Sequence, residues 1–294
     1  MQHQIATVIN YCTNDYRFLD ECIKRVRQFS SEIIIPVADH FFDGTPENEE
    51  LLLRSYFEHP DVTFVQYRFD AKKPYGLKPG VENENDWTHY WHSTSRYIGF
   101  QRVSDDIEYI LFLDADEICE TERFIDYLEA MPYRLYSAIR FRSFNYFLRP
   151  EYRANDLWGF TLFVRKDDLD GQTLLTPLER KGTFLDIKGS KLDNATGIDS
   201  HPLFHHYGWV RSKPELYKKV AMWGHKHDVD WKDRLDRLFS EPFDGTFHDP
   251  VLHQTYTQIE SPFNPLAIDA DLLRTRTLYS NYTPEQFHNV KLIE

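Results

Sequence analysis

The chain has 294 residues, 41% of them hydrophobic and 16% aromatic, which excludes a disordered polymer and suits a globular protein with a large buried core. With 34 basic against 47 acidic residues, its net charge of -13 argues against a nucleic-acid partner and against docking on anionic lipid by charge alone. No apolar stretch approaches the roughly 20 residues of a transmembrane helix.

In chain order, Ile5 to Tyr11 reads as a buried strand, and Tyr16 to Phe29 as a helix with Phe18, Leu19, Cys22, Ile23, Val26 and Phe29 at helical spacing, capped by Asn14 or Asp15. Glu32 to Asp39 is a second buried strand, which Pro36 places near an edge or an irregularity. Glu47 to Phe57 predicts a helix, Val62 to Tyr67 a third strand, Asp70 to Asn85 a polar loop, Thr88 to Val103 a helix and Tyr109 to Leu113 a fourth strand. Alternation of this kind predicts an α/β sandwich with a mostly parallel sheet. After Asp116 the rhythm changes. Phe124 to Met131 predicts a short helix, Ala138 to Leu148 a strand with one polar face, and Trp158 to Val164 another strand. Gly171 to Ser200 is mixed and turn-rich, Lys213 to His225 reads as a helix, and the chain from Asp228 onward has no clear period. The expected organisation is one domain over residues 1–227, with a nucleotide-binding half at 1–117 and an acceptor half at 118–227, followed by a C-terminal extension at 228–294 packed on it.

The fourth strand ends abruptly in Asp114-Ala115-Asp116. Ligands of parallel sheets bind just beyond the carboxyl ends of the strands, so both aspartates fall where a crevice should open. Two carboxylates that close together repel each other unless a cation lies between them. Mg²⁺ or Mn²⁺ suits such a pair, because hard cations take one or two carboxylates together with substrate phosphates. A second Asp-x-Asp, Asp269-Ala270-Asp271, reads instead as a helix N-terminus. A zinc site from His225 and His227 with His201, His205 and His206 is disfavoured, since no cysteine accompanies them. The amino terminus shows no secretory signal, and Cys12, Cys22 and Cys119 lack metal-site spacing, so reduced thiols and a cytoplasmic location are expected. Asn194-Ala195-Thr196 and Asn281-Tyr282-Thr283 then count as chance matches to the glycosylation pattern.

A nucleotide half ending in a strand and Asp-x-Asp resembles the GT-A-fold glycosyltransferases of the family-2 type, over roughly the first 120 residues most closely. Asn10 to Asp15 is similar to the family's nucleoside-wrapping loop, which implies contacts from Tyr11 and Thr13. Asp39 to Asn48 is similar to its acidic segment, whose strand-end aspartate, here Asp39, accepts a hydrogen bond from the base. Ser95-Arg96-Tyr97-Ile98-Gly99 resembles the A-R-N-x-G signature, which puts Arg96 at the diphosphate. Phe204 to Arg211 resembles the late H-x-G-W-V segment, whose histidine completes the metal's ligands. His206 fits the pattern better, with His205 as the other candidate.

The resemblance implies a GT-A (Rossmann-like) α/β/α sandwich and transfer of a sugar from a UDP- or GDP-sugar to a hydroxyl of a glycan or other acceptor, with inversion. Asp114 and Asp116 with His206 would hold Mn²⁺ or Mg²⁺, which stabilises charge on the departing diphosphate. The family's E-D pair that supplies the base is not visible, so Asp156 and Asp186 are the candidates. The aromatics Trp158, Phe160, Trp209, Trp223 and Trp231 suit stacking on sugar faces. A HAD-type phosphatase, a nucleotidyltransferase and a non-catalytic carbohydrate-binding domain stay open as alternatives. The first usually has a threonine where Ile118 stands, and the second a Gly-rich basic loop after the first strand.

Overall fold

The computed structural model describes residues 4–41, 43–69, 84–176, 178–223, 225–240, 243–249, 252–265 and 282–293, with the backbone alone over 84–90. Of the loop expected at Asp70 to Asn85, residues 70–83 lie outside the described residues, as does the second Asp-x-Asp, while Glu84 and Asn85 belong to a helix instead.

The amino-terminal half alternates as expected: β1 (Ile5–Asn10), α1 (Tyr16–Val26), β2 (Glu32–Ala38), α2 (Glu49–Glu58), β3 (Thr63–Tyr67), α3 (Glu84–Phe100) and β4 (Tyr109–Asp114). The rest contributes β5 (Glu117–Cys119), α4 (Thr121–Ala130), β6 (Ala138–Phe147), β7 (Arg149–Ala154), β8 (Trp158–Arg165), α5 (Gly171–Leu174), α6 (Glu179–Asp186), β9 (Lys191–Ala195) and β10 (Phe204–Trp209). It closes with α7 (Lys213–Met222), α8 (Trp231–Ser240), β11 (Thr246–Asp249), β12 (Gln254–Gln258) and β13 (Val290–Ile293).

These strands form one central sheet in the order β11-β12-β7-β6-β8-β4-β1-β2-β3-β13. It is parallel from β4 through β1, β2 and β3 to β13. Beyond β4 it turns mixed: β8 runs antiparallel to β4 and β6, while β9 and β10 lie parallel to β6. The α/β class is therefore as expected, with the parallel order concentrated in the amino-terminal half. Residues past 228 add β11 and β12 to one edge of the sheet and β13 to the other. Pro36 does not mark an edge, because β2 lies between β1 and β3 and Pro36 is in register with Val65. Its missing N–H removes one ladder bond from an otherwise buried strand.

Strand periodicity explains why the middle is buried on both faces. Ile5 and Ile9 of β1 pack with Phe18, Leu19 and Cys22 of α1, whereas Ala6 and Val8 pack with Trp91 and Ile98 of α3. Gly99 is what lets α3 lie so close, since a Cβ there would meet Val8 Cγ1 at 2.5 Å. A third cluster, built on Phe147, Trp209, Leu216, Trp231, Leu235 and Tyr256, ties α7, α8 and β12 to the sheet. Among the described residues, no helix is long and apolar enough to cross a membrane.

Candidate active site

Asn10, Ala38, Tyr67 and Asp114 are the last residues of β1, β2, β3 and β4, and all four line one cleft of about 220 Å³. This is the crevice beyond the carboxyl ends of parallel strands where ligands of such sheets bind. Asp116, His206, Glu179, Arg180 and Lys219 line it as well, and Trp158, Phe160, Trp209 and Trp223 form an aromatic wall.

The two aspartates occupy different surroundings. Asp114 ends β4, in register with Asn10, whose Nδ2 donates to Asp114 Oδ1 at 3.2 Å. Arg96 Nη2 donates to the same oxygen at 3.1 Å, and Arg180 Nη2 donates to Oδ2 at 2.9 Å. Asp116 lies past the end of β4, 2% exposed, with Lys219 Nζ donating to Oδ2 at 3.1 Å and Arg211 Nη2 3.6 Å from the same oxygen. Burial alone would raise both carboxyl groups. Arg180 and Arg96 outweigh it at Asp114, and Lys219 with Arg211 outweighs it at Asp116, so both are held below the usual carboxylate range. Behind them Glu117, fully buried, takes a forked pair of hydrogen bonds from Arg180 at 2.5 and 2.8 Å, and burial still pushes its pKa up to about 7.

The residues suited to a divalent cation are Asp116 and His206. His206 Nδ1 lies 3.0 Å from Asn145 Oδ1, an acceptor for a ring proton on Nδ1, and in that tautomer the Nε2 lone pair faces the cleft. Nε2 faces Asp116 Oδ1 across 3.5 Å, and that oxygen is buried without a hydrogen-bond partner. Burial first of all keeps His206 neutral by lowering its pKa. A lone pair facing a carboxylate oxygen is a donor set that a hard or borderline cation satisfies. Gly208 keeps the space open, because a Cβ there would fall 2.8 Å from His206 and 2.9 Å from Asp116 Oδ2. Asp114, expected to share the cation, has both oxygens engaged by protein donors instead. His205, the alternative ligand, points away from the cleft: its ring nitrogens lie 2.6 Å from Tyr146 Oη and 2.8 Å from Glu120 Oε1. Among the described residues no group of three or more His, Cys, Asp or Glu side chains is arranged to hold a metal ion. A cation here would thus depend on oxygens from the ligand, as Mg²⁺ and Mn²⁺ commonly do.

Neither acid expected as the base is in the cleft. Asp156 is exposed in the turn between β7 and β8, and Asp186 is exposed at the far end of α6. Besides Asp15, Glu47, Asp114 and Asp116, the cleft is lined by Glu179, the first residue of α6, whose backbone takes the strained left-handed conformation with φ of 51°. Arg96 Nη2 lies 3.5 Å from Glu179 Oε2, so one guanidinium nitrogen holds Asp114 and Glu179 together. His225 Nε2 is 3.4 Å from Glu179 Oε1. Burial would raise this carboxyl, but His92, His225 and Arg96 hold it well below its ordinary value, so it is ionised at neutral pH. His225 also pairs with Asp228 at 2.8 Å. Sequence reading missed Glu179 and Arg180 because α6 is a helix of only 8 residues inside a stretch that reads as turns. A Glu-Arg pair opening a helix, where acids complement the dipole, was the available signal.

Among the residues expected to contact a nucleoside, Tyr11 lines the cleft with its hydroxyl 2.9 Å from Ser55 Oγ. Thr13 is buried beneath it and donates through N and Oγ1 to Glu47, a cleft residue whose pKa burial pushes up to about 7. Asp39 turns aside from the cleft: its Oδ1 accepts from Phe69 N and lies 2.8 Å from His40 Nδ1. His40 and Phe41 take the wall position instead.

No protein-family model matches the chain, and no curated protein matches it. Among the solved structures it resembles are two that each align with 74% of it. One is 4-diphosphocytidyl-2C-methyl-D-erythritol synthase from Anaerococcus prevotii, at 11% identity and a TM-score of 0.40 over 94% of that chain. The other is TarS 1-349 from S. aureus, at 9% identity and a TM-score of 0.42 over 63% of that chain, so the present chain spans less than two thirds of its length. At these identities and scores, the functional reading rests on the residues of the cleft.

Proposed function

We propose that the cleft transfers a glycosyl group from a nucleoside-diphosphate sugar to an acceptor hydroxyl, with Glu179 as the general base. The observation that carries this reading is the convergence of Asp114, Asp116 and Glu179, with their cations, at the carboxyl ends of the parallel strands. Tyr11, His40 and Phe41 wall the end suited to the nucleoside, and Trp158, Phe160 and Trp223 the end suited to sugar rings, whose apolar faces stack on aromatics.

In the reaction the acceptor oxygen forms a bond to the anomeric carbon as the bond from that carbon to the diphosphate oxygen breaks. The acceptor proton passes to Glu179, and the electron pair leaves on the nucleoside diphosphate. When bound, Mn²⁺ or Mg²⁺ held by Asp116 and His206 would neutralise charge on that diphosphate. Arg180 and Arg96 fix Asp114, and Arg96 with His225 keeps Glu179 ionised and in place.

The test is a panel of UDP- and GDP-sugars with glycan acceptors, following release of the nucleoside diphosphate in the parent and in Glu179→Gln. We expect donor-dependent release in the parent and a loss of roughly 10²- to 10⁴-fold in the variant, with nucleotide affinity kept. Release of diphosphate from a nucleoside triphosphate, or of phosphate from a sugar phosphate, would refute the assignment. So would full activity in the variant for the role of Glu179.

A further inference from the structure

Asp116 is held by two cations in unlike surroundings. The Arg211 side chain is 1% exposed and locked: Nε donates to Gly208 O at 3.0 Å, Nη1 to Asn14 O and Nη2 to Asp15, and the guanidinium lies 4.8 Å over the Phe18 ring. Lys219 is different. Its ammonium lines the cleft, is partly exposed and hydrogen-bonds only to Asp116 Oδ2 among the described residues. It stands on α7, whose start is fixed by a reciprocal cap between Ser212 and Glu215 and by the Arg17–Glu215 ion pair. The helix is thus anchored while the four-carbon stem can swing. A lysine ammonium is a compact point charge suited to phosphate oxygens.

We infer that Lys219 is a placeholder cation, which occupies the Asp116 carboxylate while the cleft is empty and transfers to the donor's diphosphate when a divalent cation takes that carboxylate. This rests on the nucleotide-sugar reading above and says how the site is regulated. The metal, on Oδ1, and Lys219, on Oδ2, share one carboxylate, and their positive charges repel each other. The incoming diphosphate removes the conflict, because its oxygens accept both the displaced ammonium and the metal. Cation and nucleoside diphosphate therefore bind interdependently, each raising the affinity for the other by the same factor. Metal alone binds poorly, which keeps the carboxylate ready without committing it.

The experiment measures free Mn²⁺ by electron paramagnetic resonance during titration of the parent, Lys219→Met and Lys219→Arg, with Mn²⁺ alone and with Mn²⁺ plus UDP or GDP. Melting temperatures of all three proteins control for folding. In the parent, nucleotide should tighten Mn²⁺ binding at least tenfold. In Lys219→Met, Mn²⁺ alone should bind at least tenfold more tightly than in the parent, nucleotide in the presence of Mn²⁺ more weakly, and the coupling between them should shrink. Lys219→Arg should stay close to the parent. Unchanged or weaker Mn²⁺ binding in Lys219→Met, with nucleotide-dependent Mn²⁺ binding intact in the parent, would overturn the placeholder role alone. Absence of Mn²⁺ binding in the parent even with nucleotide would overturn the metal site, and failure to bind either nucleotide under any condition would overturn the reading of the cleft itself.

Discussion

Replacing Arg180 by methionine isolates the charge balance beneath the cleft. Arg180 is 5% exposed and spans two carboxylates: a forked pair of hydrogen bonds to fully buried Glu117 and one of 2.9 Å to Asp114. Methionine keeps the apolar stem and removes the guanidinium, leaving Glu117 without its cation. Breaking a buried pair from one side costs about 3–5 kcal/mol, because the remaining charge is uncompensated. The cost should depend on pH, with a definite sign. In the parent, burial holds Glu117 at about 7, above its ordinary value, so its contribution to stability falls as pH rises toward 7 and is flat beyond. In the variant the pKa rises further, so the folded state keeps its proton above pH 7 while the unfolded state does not, and stability goes on falling. The gap between parent and variant should therefore widen by about 1.4 kcal/mol for each pH unit above 7. Urea unfolding followed by tryptophan fluorescence at pH 6 and pH 8 measures it. Adding Glu117→Gln to the variant should remove the widening and recover part of the loss. A gap that is the same at both pH values, or a loss below about 1 kcal/mol at pH 8, would refute the claim that Arg180 compensates the Glu117 charge.

Glu47→Gln should flatten a second pH dependence: burial raises Glu47 from 4.5 to about 7, so the parent should lose on the order of 3 kcal/mol on its account as pH rises through that interval. Thermal unfolding at pH 5 and pH 8 would show the difference, and equal slopes in parent and variant would count against a buried carboxylic acid there. Gly208→Ala should reduce nucleotide-dependent Mn²⁺ binding at least tenfold, because the added methyl group meets His206 and Asp116 at under 3.0 Å. A calorimetric titration showing unchanged affinity would mean that the strand yields. His205→Ala should cost about 1–3 kcal/mol of stability by stranding its buried Tyr146 partner, with Mn²⁺ binding retained, and His206→Ala should do the reverse. Melting temperature and Mn²⁺ affinity measured on both variants decide it.

The hydrophobic periodicity of the chain was enough to predict the parallel strands of the amino-terminal half and the place where Asp114 and Asp116 emerge from β4, since burial on two faces is written in a run of neighbouring residues. Helix α7 and the strand with one polar face, β6, were legible for the same reason. The roles within the cleft were not, because they are set by partners far along the chain: Arg180 lies 66 residues from Asp114, and Lys219 lies 103 from Asp116. Two aspartates of identical chemistry differ only in which cations the fold brings to them. Likewise Asp156, Asp186 and Glu179 look alike as acids in sequence, and only the short helix α6, docked beside α3, turns Glu179 into the cleft and leaves Asp186 at its far end in solvent, while Asp156 lies in the exposed turn between β7 and β8. The histidine pair makes the same point at the scale of one residue. Alternation along β10 requires His205 and His206 to face opposite ways, but the pairing of β10 with β5 and β6 decides which one meets Asp116. A slip of one residue in that register would exchange them, which is why no local pattern could assign the pair and the assembled sheet does.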